Sequence, residues 1–466
     1  MVGLPEAAVK ESKDRVRSAI INSGFEFPAK RITVNLAPAD LPKEGGQFDL
    51  PIALGILAAS AQIKKDHLAA YEFAGELGLT GELRPFKKAL PLAITAKHTS
   101  QPLILPQQNA HEAAILPGHT LLAANHLLAV CEHLTTQSTL LAPSLAAASP
   151  SITYPDLEEV KNQPQAKRAL EIAASGRHGL LMIGPPGTGK TMLAHRLPGI
   201  LPPLTETEAL EIAAIYSISH LGFQSSQWNS RPFRAPHHTC SSIALVGGGS
   251  SPKPGEISLA HYGVLFLDEL PEFSRHSLEA LREPLEAGRV MISRATKQVE
   301  FPAQCQLIAA MNPCPCGFYR HKTMDCRCTP DQIQRYQHKI SGPLLDRLDL
   351  HLHMSEFKKE TLKSTHPEES STTVRERVLQ AYHIQYQRQQ KANSLLNEKE
   401  INIFCELSSK DQIFIQDALE KLQLSLRAYN KIRKISRTIA DLNGTFDIHR
   451  THLLEALSYR TSFNRR

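Results

Sequence analysis

The chain has 466 residues, too many for one ordinary hydrophobic core, so two or three domains are expected. A hydrophobic fraction of 42% with 21% charged residues excludes a disordered or fibrous chain, and a net charge of +6 permits a polyanionic partner without requiring one. No apolar run reaches the roughly 18 residues of a transmembrane helix, and the N-terminus carries no signal-like apolar stretch, so no membrane partner is expected.

Residues 1–140 read as a mixed α/β domain. "AAVKESKDRVRSAIINSG" has helical periodicity and ends at Gly24. "RITVNLAP" predicts a short strand, "DLPIALGILAASAQI" a buried helix, and "YEFAGELGLTGEL" a strand and turn. Residues 141–156 are rich in Ala, Ser and Pro and read as a linker. From residue 157 to 354, strands and helices alternate, which predicts a parallel sheet. Residues 355–372 are polar and read as a second linker. Residues 373–466 read as helices.

Residues 184–191, "GPPGTGKT", lie between the buried strand "HGLLMI" and the helix "TMLAHRLPGIL". That context marks a phosphate-binding loop. The backbone of Gly184, Pro185, Pro186, Gly187, Thr188 and Gly189 is expected to close around phosphate oxygens. Lys190 would reach the β- and γ-phosphates and Thr191 would ligate Mg²⁺. ATP and Mg²⁺ are therefore the expected cofactors. Farther on, "GVLFLDEL" is a buried strand ending in two carboxylates. Asp268 would hold the Mg²⁺ shell, and Glu269 would orient and deprotonate the attacking water. The strand "CQLIAAMN" ends at Asn312, placed to hold that water. "GPLLDRLDL" offers Arg347, either as a charge-compensating arginine for a neighbour's nucleotide or as a salt bridge to Asp346 or Asp349.

In this order, with a helical C-terminal lid, these motifs resemble the AAA+ ATPases. "FRAPHHT", "PGEISLAHYGVLFLDELPEF", "LREPLEAGRVMISRA" and "AAMNPCPCG" resemble more narrowly the magnesium-chelatase-like members, in particular the YifB/ComM group. The resemblance implies an α/β fold: an AAA+ P-loop module with a parallel sheet, a helical lid, and an N-terminal Lon-protease-like α+β domain truncated at its start. It implies Walker A at Gly184–Thr191, Walker B at Asp268 and Glu269, sensor 1 at Asn312 and the arginine finger at Arg347. Arg427 in "LSLRAYNKIRK" matches sensor 2. Asn162 in "VKNQPQAKRAL" stands where the adenine-pocket box more usually has glycine.

The same resemblance makes "APHHTCSSIALVGGGSSPKPGEIS" a helix-2 insert and "AGRVMISRATKQVEFPA" a hairpin ahead of sensor 1. In a hexamer such hairpins face the central pore, where Lys253, Arg294 and Lys297 would meet DNA phosphates or else remain ordinary surface charges. In the N-terminal domain the protease nucleophile position is Gln47 and the lysine position aligns with Leu90, beside Lys87 and Lys88. An amide and an alkyl group cannot form a Ser–Lys dyad, so no peptidase activity is expected.

Four of the eight cysteines, Cys314, Cys316, Cys326 and Cys328, form two C-x-C pairs. They offer a tetrahedral structural Zn²⁺ site, with His321 as a spare ligand; unmetallated packing and a redox pair are the alternatives. The remaining cysteines are scattered and suggest no secreted disulfide framework, so a cytoplasmic location is expected.

The implied activity is an ATP-driven hexameric DNA translocase or helicase that promotes branch migration during natural transformation. Its implied partners are single-stranded and branched DNA, other copies of the chain in a nucleotide- or DNA-dependent homo-hexamer, and recombination proteins. The alternative is a chelatase-type or protein-remodelling motor acting on a partner protein.

Overall fold

A computed structural model describes residues 1–2, 7–38, 43, 45–136, 139–143, 153–249, 252–293, 298–321, 323–355 and 368–460. The chain divides into two compact units, residues 1–152 with 209–228, and residues 153–208 with 229–466. Residues 209–228 lie within the sequence segment of the P-loop module but cluster with the first unit.

In the first unit, β1 (Glu72–Phe73), β4 (Leu103–Pro106) and β5 (Leu121–Ala124) form a parallel sheet in the order β1-β4-β5. A short antiparallel pair, β2 (Glu76–Leu77) and β3 (Leu83–Arg84), makes the expected strand and turn. Helices Ala7–Asn22 and Asp49–Ala59 form where the periodicity placed them. The second of these buries Leu50, Ile52, Leu54, Ile56 and Leu57. Asp49 is fully buried with them and accepts two hydrogen bonds from Arg15, at 2.8 and 3.2 Å.

The strand expected over "RITVNLAP" does not form. Asn35 makes a single bridge to Val2, and the segment stays largely exposed. A strand needs a neighbour along its whole length to satisfy its backbone groups, and among the described residues only Val2 lies alongside.

The second unit is built on a five-stranded parallel sheet. Its strands are β6 (Leu180–Ile183), β7 (Phe233–Arg234), β10 (Val264–Leu267), β13 (Gln306–Met311) and β14 (Leu350–His353). Their order is β14-β6-β13-β10-β7. β6, β10 and β13 are buried on both faces, as helix-covered parallel strands must be. Two antiparallel ribbons project from this frame. One pairs β8 (Gly247–Gly248) with β9 (Lys253–Pro254), and the other pairs β11 (Arg289–Ser293) with β12 (Gln298–Pro302). They pack together where a Cβ on Gly247 would stand 3.2 Å from Ile292 Cδ1.

The C-terminal helices share the core of this unit: Val378, Ile432, Ile435 and Ile439 join Leu180, Met182 and Ile308 in one apolar cluster. A polar joint accompanies it. Asp349, at the root of β14, meets Lys431 Nζ at 2.9 Å and His178 Nδ1 at 3.1 Å. His178 Nε2 lies 2.8 Å from Thr438 Oγ1. Burial works against the Asp349 carboxylate, but Lys431 and His178 outweigh it and hold its pKa well below the usual range.

Candidate nucleotide site

The strand order assembles the site. β13 runs between β6 and β10, so Asn312, just past its end, lies between the phosphate loop after β6 and the carboxylates after β10. The loop Gly184–Gly189 turns into helix Lys190–Ile200 through Gly187 and Gly189, at φ 79° and 87°. Those left-handed conformations favour glycine.

Lys190 is buried and folds over the loop it closes. Its Nζ donates to the carbonyls of Gly184 (2.7 Å) and Pro185 (2.9 Å) and to Asn312 Oδ1 (3.2 Å). Burial pulls its pKa below the ordinary lysine value, against the opposing effect of Asp268. Thr191 Oγ1 donates to Asp268 Oδ2 at 2.7 Å. The Glu269 backbone N–H donates to Asp268 Oδ1 at 2.9 Å. Lys190, Thr191, Asp268 and Asn312 are thus joined in pairs, and the Thr191–Asp268 pair presents two oxygens of the kind Mg²⁺ takes.

Glu269 has φ 51°, an uncommon conformation for a residue with a side chain. Its Oε2 lies 3.1 Å from His238 Nδ1. Sequence reasoning did not single out His238. It follows β7, and β7 pairs with β10, so the contact depends on sheet neighbours and not on local spacing.

Arg347 and Arg427 are brought to each other's neighbourhood. Both line a cavity of 360 Å³ together with Arg282, Glu286 and Asp346, and none of the phosphate-loop residues lines it. Arg347 pairs with Glu286, not with Asp346 or Asp349. Arg427 is 77% exposed and 3.5 Å from Asp346 Oδ2.

Asn162 adopts φ 55°, so it takes the left-handed conformation that a glycine would supply. Asparagine is among the few residues that tolerate it. In the first unit Gln47 is half-buried, Leu90 is fully buried, and Lys87 and Lys88 are exposed.

The four cysteines converge: their sulfurs all lie within 4.8 Å of one another. Cys314–Cys316, Cys314–Cys326 and Cys316–Cys326 are 3.4, 3.7 and 3.6 Å apart. A tetrahedral site with Zn–S of about 2.3 Å separates its sulfurs by about 3.8 Å, so this set fits zinc. Burial opposes the Cys316 thiolate, but hydrogen bonds from the Phe318 and Arg327 backbone outweigh it and lower its pKa to about 6. His321 stands apart from the cluster; its Nδ1 accepts from the Met324 N–H at 2.9 Å. Of the expected DNA contacts, Lys253 is exposed on β9, while Arg294 and Lys297 lie outside the described residues.

The parallel sheet, phosphate loop and paired carboxylates define a P-loop module of the AAA+ class. Family descriptions agree with this: "Magnesium chelatase, subunit ChlI" matches residues 156–362, "Subunit ChlI of Mg-chelatase" residues 1–109, and "Magnesium chelatase, subunit ChlI C-terminal" residues 368–460. The competence protein ComM of Haemophilus influenzae is 51% identical over 466 residues, spanning 99% of this chain and 91% of that protein. The uncharacterized protein YifB of Escherichia coli is 51% identical over 461 residues, with the same coverage of 99% and 91%. A 38% identical uncharacterized protein of Mycobacterium tuberculosis aligns over 473 residues, 100% of this chain and 93% of that relative. The chain belongs to the YifB/ComM family of magnesium-chelatase-like AAA+ proteins. Among the described residues, no helix is long and apolar enough to cross a membrane.

Proposed function

We propose that this chain is a MgATP-hydrolysing motor that acts as a homo-hexamer on single-stranded and branched DNA. It would drive branch migration as incoming DNA is integrated in natural transformation, working with recombination proteins in the cytoplasm. The name of the Haemophilus relative supports the competence setting. The observation that carries the ATPase reading is the junction of Lys190 with Asn312 and of Thr191 with Asp268.

In this reading the loop Gly184–Gly189 and Lys190 bind the β- and γ-phosphates, while Thr191 and Asp268 hold Mg²⁺. Magnesium supplies charge neutralisation across the phosphates. Glu269 takes a proton from the attacking water, which Asn312 positions. Arg347 compensates charge on the nucleotide of the neighbouring subunit and Arg427 does so from the helical lid; the two line one cavity with Arg282, Glu286 and Asp346. The Lys253 ribbon contacts DNA phosphates in the pore, joined by Arg294 and Lys297. Cys314, Cys316, Cys326 and Cys328 hold one structural Zn²⁺.

The test is the rate of ATP hydrolysis by the full chain with and without single-stranded DNA, together with unwinding of a three-stranded substrate. DNA-stimulated hydrolysis with strand displacement is expected. Hydrolysis without DNA binding at low salt would overturn the DNA motor and favour a motor acting on a partner protein.

A further inference from the structure

The cysteine loop touches the phosphate loop. Gly317, one residue past Cys316, has φ +85° and faces Pro186 with no side chain between them. A Cβ on Gly317 would stand 2.6 Å from Pro186 Cδ and 2.9 Å from Cγ, closer than real carbons approach. The Gly317 N–H donates to the Cys314 carbonyl at 3.0 Å, which fixes the tight turn that brings glycine to the proline. A second point of contact lies two residues before Cys314, where Asn312 Oδ1 accepts from Lys190 Nζ at 3.2 Å. Between these two contacts the loop is also anchored, since Gln337 Nε2 donates to the Pro313 carbonyl at 3.0 Å. Thus residues 312–317, which carry two of the four sulfurs, touch the phosphate-binding segment at both ends.

We propose that the metal held by the four cysteines braces the phosphate loop through Gly317 and Asn312, so that metal occupancy and nucleotide affinity are linked. This rests on the reading of the four thiolates as a zinc site. A loop closed by four metal–sulfur bonds has one shape; the same loop without metal samples many. If the closed shape is the one that supports Pro186 and presents Asn312 to Lys190, the metal stabilises the nucleotide-binding conformation. Linkage is reciprocal, so bound nucleotide must tighten zinc by the factor that zinc tightens nucleotide.

The experiment uses the full chain. Zinc content is measured by mass spectrometry. Apparent zinc affinity is then read by competition with a chromophoric chelator, with and without saturating MgADP. One zinc per chain is expected, with its affinity raised about 5-fold or more by MgADP, the lower end of ordinary coupling. Zinc-stripped protein should bind a fluorescent ADP analogue more weakly by the same factor. Gly317→Ala should keep its zinc but bind that analogue more weakly, because its methyl group displaces Pro186. One zinc per chain with an affinity indifferent to MgADP would overturn the brace and leave the zinc reading standing. A chain that takes up no zinc from zinc chloride alone would overturn both. Should Gly317→Ala fail to fold, the competition experiment on the unaltered chain decides.

Discussion

His238 Nδ1 lies 3.1 Å from Oε2 of Glu269, the carboxylate proposed to take a proton from water. While that contact stands, one oxygen of the proposed base is engaged by a side chain on the segment that runs, through helix Ser242–Val246, from β7 to the ribbon strand β8. His238→Ala is expected to raise hydrolysis in the absence of DNA about 2- to 10-fold, the equivalent of one hydrogen bond. Phosphate release without DNA measures it; an unchanged rate would show that the contact has no hold on the base.

Glu269→Gln keeps the shape of the site and removes the proposed base. Turnover should fall by about 10²–10⁴, with ATP binding retained. Equilibrium binding of a fluorescent ATP analogue beside the hydrolysis rate separates the two effects.

Arg347→Ala should lower kcat by about 10³ without weakening nucleotide binding to the isolated chain. Mixing Arg347→Ala chains with Lys190→Ala chains should restore part of the activity, because each supplies what the other lacks at a shared interface. No recovery in the mixture would argue against action on a neighbour's nucleotide.

Arg15 is the cation that Asp49 meets in the core of the first unit, and it is 22% exposed. Burial pushes the Asp49 pKa up, and Arg15 opposes that push. Arg15→Ala strips the buried carboxylate of its cation, leaving it the hydrogen bond from the Leu77 N–H at 3.2 Å, and should cost about 3 kcal/mol, the lower end for a buried pair because solvent reaches the arginine. Urea unfolding measures this, and the Arg15→Leu/Asp49→Leu double variant should lose less.

Burial and the nearby Arg460 and Lys431 lower the pKa of His351 from 6.5 to about 3. Above pH 6.5 the ring is neutral in both the folded and unfolded chain, and its contribution to stability is complete. As pH falls below 6.5 the unfolded chain binds a proton that the folded chain refuses, so stability is lost progressively toward pH 3. His351→Leu should flatten that loss between about pH 6.5 and 4.5, before carboxylates titrate in bulk. Thermal unfolding across that range reads it.

Much of the arrangement of the candidate nucleotide site was legible in the sequence because its parts follow the ends of buried apolar strands. "LLMI", "VLFL" and "QLIAAM" mark their own strands, and parallel strands bring their C-terminal ends to one edge. What escaped depends on which strands are neighbours. His238 reaches Glu269 only because β7 lies beside β10. The choice of Glu286 by Arg347 depends on where helix Arg282–Ala287 packs. Gly317 carries no chemistry of its own, and its importance is visible only when Pro186 is found against it. The segment "RITVNLAP" shows the opposite failure: among the described residues its strand-like sequence makes a single bridge, from Asn35 to Val2.

The joint at Asp349 has a mechanical consequence. Lys431 stands one helical turn from Arg427 on helix Leu426–Leu442, and its ammonium is fixed to the carboxylate from which edge strand β14 starts. Swinging that helix independently of the strand would strip a largely buried anion of its cation, at a cost of about 3–5 kcal/mol. The helix and the strand are therefore stiff to one another. In the proposed motor, a pull delivered at Arg427 would be carried as torque into the edge of the sheet.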